Sequence, residues 1–291
     1  MKRTMAVDAA FWRRLAYAGA RYGPESWLRH SPAFFGAAFA VVLGRERRAV
    51  RENLRAVLGP RHPVLEQLDV FRTFVGYARC LAEGLAAGRP EMQQVRRHIH
   101  GRPHLDALVS AGRGALLVTA HAGPWDAAAG LLSSDFAADV MVVMWAERDA
   151  RARALHDEVR EKSGVRVLHV GAHPLDALPL LRHLRAGGLA AAQLDRVAPG
   201  QRALQVSLFG REARLPEGLF ALAALANVPI LPVFVRRARY LEYEFVISEP
   251  IELPRRPSHE QLKNAAQRAA SALERFIFAH PTQWFQFEPL D

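Results

Sequence analysis

The chain has 291 residues, is half apolar and carries a formal charge of +10. That size and composition suffice to bury a sizeable core in one large domain or two small ones. The single cysteine, Cys80, excludes an intramolecular disulfide and fits a reducing compartment. The positive balance favours anionic partners: a membrane surface, an acidic carrier protein, coenzyme phosphates or nucleic acid.

From the N-terminus, Arg13 and Arg14 interrupt any early apolar core, so no secretory signal is evident. The apolar stretch 32–44, with Phe34, Phe35 and Phe39, is shorter than the roughly 20 residues of a membrane-spanning helix. Two readings stand for it: a buried core helix, or an interfacial helix anchored by Phe11, Trp12, Tyr17, Tyr22 and Trp27. Helical patterns over 45–57 and 64–85 follow, stopped by Gly59-Pro60 and by Gly88 and Pro90. Cys80 falls in the second pattern and reads as core.

Beyond residue 90, strands and helices alternate. The predicted strands are 115–120, 140–145, 165–170, 189–194, 204–208, 230–235 and 243–247. The predicted helices are 104–110, 125–132, 149–163, 175–186 and 217–226. A last helix opens on the capping box Ser258-His-Glu-Gln261 and carries the stripe Leu262, Ala265, Ala266, Ala269, Leu273, Ile277. The alternation predicts an α/β fold: a mostly parallel mixed sheet flanked by helices, with a helical N-terminal region.

The chemistry concentrates at His121-Ala-Gly-Pro-Trp-Asp126. The buried strand before it would place His121 at a carboxyl end, where open α/β sheets bind ligands. Gly123 bends the chain, Pro124 suits a helix start, and Asp126 falls in the first helical turn. On a continuous helix, residues five apart diverge by about 140°, so the pair meets only across a turn. A neutral His takes a proton from an alcohol attacking an acyl carbon. A carboxylate on its other nitrogen fixes the tautomer and stabilises the imidazolium. The bland alternative is a satisfied polar His followed by an Asp that favours a helix N-terminus.

Gln193-Leu-Asp195-Arg196 ends another strand, so Asp195 and Arg196 are candidates to face the same cleft. Arg196 suits a phosphate or carboxylate, with a loop salt bridge as the alternative. The stretch Phe209-Gly-Arg-Glu-Ala-Arg214-Leu-Pro216-Glu217-Gly218 joins a strand to a helix, and the helix start offers N–H groups to an oxyanion or phosphate. No nucleophile elbow, dinucleotide fingerprint or Walker A motif occurs. His98-Ile-His100 has no further ligand at metal spacing and reads as two exposed histidines. Nucleic-acid binding rests on charge alone and is not expected.

Together these segments resemble the bacterial lysophospholipid and lipid A late acyltransferases, which include phosphatidylinositol mannoside acyltransferases. His121 to Asp126 matches the family's H-x4-D/E motif. Leu204-Gln-Val-Ser-Leu-Phe-Gly210 with Leu215-Pro-Glu-Gly218, Asn227-Val-Pro-Ile-Leu-Pro232, Arg51-Glu-Asn-Leu54 and His280-Pro-Thr-Gln-Trp284-Phe match other family blocks, in order along nearly the whole chain. Pro124 stands where Asn is usual and Glu217 where Thr is usual. The resemblance implies an O-acyltransferase that moves a fatty acyl chain from an acyl-CoA or acyl carrier protein thioester to a hydroxyl of a lipid or glycolipid. It implies His121 as base and Asp126 as its orienting carboxylate. Arg196, Arg214, Asp195, Glu217 and Gly218 are the expected substrate contacts. No cofactor and no metal are expected. Residues 1–90 would form a basic, membrane-associating helical region packed on an acyltransferase core of residues 91–291. The expected location is the cytoplasmic face of a bacterial inner membrane. A thioesterase and a non-catalytic membrane-binding relative are the alternatives.

Overall fold

The computed structural model describes residues 9–145, 166–171, 175–198 and 200–290. Four helices come first: α1 (Ala9–Tyr22), α2 (Glu25–Val42), α3 (Gly44–Leu58) and α4 (Pro63–Leu85). The α/β part follows as β1 (Arg96–His100), α5 (Arg102–Ser110), β2 (Ala115–Thr119), α6 (Trp125–Phe136), β3 (Val140–Trp145), β4 (Arg166–Val170), α7 (Leu178–Arg185), β5 (Leu189–Gln193), β6 (Ala203–Leu208), β7 (Arg211–Pro216), α8 (Glu217–Ala226), β8 (Ile230–Arg239), β9 (Glu242–Ile247) and α9 (His259–Ala279). The expected helix 149–163 lies outside the described residues.

Seven strands form one sheet in the order β1-β9-β8-β2-β5-β3-β4. All its neighbours run parallel except β8 and β9. The mostly parallel α/β fold expected from the alternation is therefore present. β2 lies near the middle, and Ala115, Leu116, Leu117 and Val118 are all buried, as an apolar run flanked on both sides requires. Leu116 and Val118 pack on one face with residues of α7, α8 and α9. Ala115 and Leu117 pack on the other with Leu105 of α5 and with Ala128, Leu132 and Phe136 of α6. A third cluster, Ala40, Val50, Leu54, Val70 and Phe74, joins α2, α3 and α4.

Two strands went unforeseen. β1 is a polar edge strand, Arg-Arg-His-Ile-His, whose partner β9 supplies the burial its own residues lack. β7 pairs antiparallel with β6, where the sequence suggested only a connection. Phe209 and Gly210 turn that hairpin with φ of 54° and 70°, the left-handed pair of a two-residue type I′ turn. The capping box forms as expected: the Ser258 hydroxyl accepts from the Gln261 N–H while the Gln261 side chain accepts from the Ser258 N–H.

Candidate active site

β2 ends at Thr119, and two residues later His121 stands at the carboxyl edge of the sheet. Gly123 makes the turn with φ of 56°. A Cβ there would lie 2.1 Å from the Val235 carbonyl oxygen, so only glycine lets the turn pass this close to β8. Pro124 precedes α6, and Asp126 occupies its first turn, as the sequence suggested.

The partner of His121 differs from expectation. Its Nδ1 lies 2.8 Å from Oδ1 of Asp195, so Asp195 holds the position assigned above to Asp126. The register explains the meeting. Thr119 pairs with Gln193 across β2 and β5, and His121 and Asp195 each lie two residues beyond that pair. A carboxylate only accepts, so Nδ1 carries the hydrogen of this bond, which in the neutral ring leaves the lone pair on Nε2. The second oxygen of Asp195, Oδ2, accepts from the His121 backbone N–H and from the Trp284 indole N–H, both at 3.0 Å. The Asp195 side chain is 1% exposed and that of His121 21%. Burial pushes the Asp195 carboxyl up. The facing His121, its hydrogen bond, Arg196 and the Trp284 indole outweigh this and hold the carboxyl below its usual range.

The C-terminal segment clamps the turn. Gly123 N–H donates to the Gln283 carbonyl at 2.9 Å, and Phe285 N–H donates to the His121 carbonyl at 2.7 Å. Ala122 and Trp284 bridge between them. The Gln283 side chain both accepts from the Arg237 N–H and donates to the Arg237 carbonyl, each at 2.8 Å. The Arg237 guanidinium in turn meets buried Glu83 of α4, which also accepts from the Tyr243 hydroxyl. Burial pushes the Glu83 carboxyl up against the pull of Arg237 and Tyr243. Phe285 and Phe287 pack edge-on against Tyr77 of α4. Trp284 and Gln283 were legible only as family residues. Their roles depend on three strand ends meeting, which no local pattern encodes.

A small cavity of about 40 Å³ lies next to Trp125, between α6 and the sheet. Thr119, Trp125, Asp126 and Gln193 gather at the carboxyl end of the strands, and Leu117, Ala128, Leu132 and Val140 line the part beyond. The Trp125 ring meets the His121 ring edge-on at 5.7 Å. The Cβ of Asp126 faces Gly84 of α4. The arrangement sets an imidazole held by a carboxylate next to an apolar gap.

The other candidates are dispersed. Arg196 donates to the Gln286 side chain at 2.9 Å and the Phe285 carbonyl at 3.0 Å, tying down the tail. Arg196 and exposed Arg214 line a second, more polar pocket with Asp195, Trp284 and Gln286. Glu217 pairs with Arg202 at 3.1 Å, and its backbone N–H already donates to the Arg202 carbonyl. Glu217 and Gly218 line neither space. His98 and His100 stand on β1 near Glu242 and Glu244, and no metal-binding cluster occurs among the described residues. Cys80 is buried, which pushes its thiol up and keeps it unreactive.

Residues 6–290 match the family model described as bacterial lipid A biosynthesis acyltransferase. Phosphatidylinositol mannoside acyltransferase sequences of two Mycobacterium tuberculosis strains, CDC 1551 / Oshkosh and ATCC 25618 / H37Rv, are each 26% identical over 251 residues. The match spans 82% of this chain and 75% of theirs. With a match over nearly its whole length, the chain belongs to the bacterial lipid A biosynthesis acyltransferase family and is an acyltransferase of lipid biosynthesis.

Proposed function

We propose that the enzyme moves a fatty acyl chain from a thioester of CoA or acyl carrier protein to a hydroxyl of a lipid or glycolipid acceptor. The observation that carries this is the His121–Asp195 pair, whose imidazole meets Trp125 in the wall of an apolar cavity. Nε2 of His121 takes the hydroxyl proton as the oxygen attacks the thioester carbon. The carbonyl π pair moves to oxygen, giving a tetrahedral intermediate. Its collapse breaks the C–S bond, and His121 returns the proton to the departing sulfur. Asp195 orients the ring and stabilises the imidazolium. Asp126, at the cavity mouth, contacts the incoming substrate. The thioester brings its own activation, so the reading requires neither metal nor cofactor. The named relatives act on a phosphatidylinositol mannoside, which supports a glycolipid acceptor. Arg196 and Arg214, beside Asp195, are the proposed contacts for a phosphate of donor or acceptor.

The same reading places the enzyme on an anionic membrane surface, at the cytoplasmic face of the inner membrane. α2 exposes Phe34, Phe39, Val41 and Val42, with Trp27 and Tyr22 nearby. Arg45 and Arg48, just beyond, are exposed as well. Among the described residues no helix is long and apolar enough to cross a membrane. Exposed aromatic and aliphatic side chains next to arginines suit the boundary between acyl chains and phosphates.

The test is a product assay with C12 to C18 acyl-CoA and acyl carrier protein thioesters and total bacterial lipid extract, read by mass spectrometry. Wild type is expected to make a new acylated lipid, and His121→Ala, still folded, to make it about 10²- to 10⁴-fold more slowly. Free fatty acid as the sole product would identify a thioesterase instead. Unchanged turnover by His121→Ala would remove His121 from the chemistry.

A further inference from the structure

Gln193 ends β5 as the register partner of Thr119. Its side chain lines the cavity mouth with Thr119, Trp125 and Asp126. Its Nε2 is buried and has no hydrogen-bond partner. A buried amide donor left unpaired is costly, and native proteins rarely tolerate one without a use for it. The remainder of this strand is small and apolar, Leu-Ala-Ala-Ala, so packing alone does not call for an amide here.

The position suggests the use. His121 and Asp195 lie two residues beyond Thr119 and Gln193 on adjacent strands. Side chains two apart on a strand share a face. A thioester carbonyl brought within reach of His121 therefore lies next to Gln193 on that shared face. We propose that the Gln193 carboxamide is a catalytic residue that donates its Nε2–H to the thioester carbonyl oxygen. This rests on the acyl-transfer reading above. As the acceptor oxygen bonds to the carbonyl carbon, the π pair becomes the oxyanion that this donor stabilises. The donor keeps its proton throughout and is free again once the C–S bond has broken. A donor held in place without a partner in the resting enzyme is preorganised for charge that appears only in the transition state.

Stability and activity should therefore move in opposite directions. Gln193→Met is nearly isosteric and deletes the orphan donor, so its melting temperature is expected to equal or exceed that of wild type, by up to about 4 °C. Its kcat, with the donor and lipid extract used above, is expected to fall about 10²- to 10³-fold while KM for the thioester stays within about threefold. Gln193→Glu, which sets a carboxylate against the oxyanion, is expected to be at least as slow. Wild-type kcat in folded Gln193→Met would overturn the proposal. So would a lower melting temperature with a matching loss of activity, since that is what a packing role predicts. Full activity in His121→Ala would overturn the acyl-transfer reading itself. An inactive His121→Ala beside a fully active Gln193→Met would overturn the role of Gln193 alone.

Discussion

At the scale of single residues, the site turns on Asp195, which accepts from the His121 ring, the His121 backbone N–H and the Trp284 indole. His121 was legible because an apolar strand and a glycine turn bracket it. Its carboxylate partner was not. Asp126 is close in sequence and so drew the assignment, yet α6 carries it to the cavity mouth while β5 delivers Asp195 to Nδ1. Only knowing that β2 and β5 are neighbours would have distinguished the two, and strand order in a parallel sheet is not written in local patterns. The bonds to Asp195 have a consequence for stability. Its folded-state carboxyl lies below its unfolded value, so its contribution is whole above about pH 5. The contribution drains away as the pH drops through the depressed folded value, where the bound carboxylate takes up a proton. Urea denaturation across the acid range is expected to show Asp195→Asn less stable than wild type near neutrality, with the gap narrowing as pH falls. A constant gap would mean that the carboxylate charge is not what the fold uses.

At the scale of elements, the long apolar or strongly patterned segments were read well, and the short polar ones were not. α8 matches its expected bounds because Pro216 and Asn227 punctuate it at both ends. β7 was missed because Arg211, Glu212 and Arg214 make it look like a loop, although Ala213 and Leu215 alternate with them toward the core. The hairpin is closed by its turn and covered by α9, whose Gln267 side chain bonds both the N–H and the carbonyl of Ser207. The turn itself is testable. At Gly210 a Cβ would meet no atom within 4 Å, so Gly210→Ala feels only the backbone strain of φ 70°. The expected loss is about 1 kcal/mol in urea unfolding. No loss would mean that the turn relaxes to another form.

At the scale of the whole molecule, the segments that build the site come from the ends of β2, β5 and β8 and from the tail, which α4 braces through Glu83 and Tyr77. The exposed apolar side chains of α2, Phe34 and Phe39 among them, give the protein its proposed side toward the membrane. Partition onto anionic phospholipid vesicles is expected to weaken as salt rises, and to fall at least about tenfold in Phe34→Asp/Phe39→Asp. Wild-type partition by that variant would place the contact elsewhere. The slot under α6 carries a different implication. Leu117, Ala128, Leu132 and Val140 leave a small gap between α6 and the sheet, and missing contacts of that kind cost a folded protein stability. On the proposed reading an acyl chain entering between α6 and the sheet supplies such contacts, and the donor then acts as a removable piece of the hydrophobic core. Each methylene that enters contributes about 0.8 kcal/mol. Melting temperatures measured with saturating acyl-CoA should climb with chain length and then level off. The length at which they stop climbing measures the depth of the slot, so calorimetry without any acceptor would report which fatty acid the enzyme is built to carry.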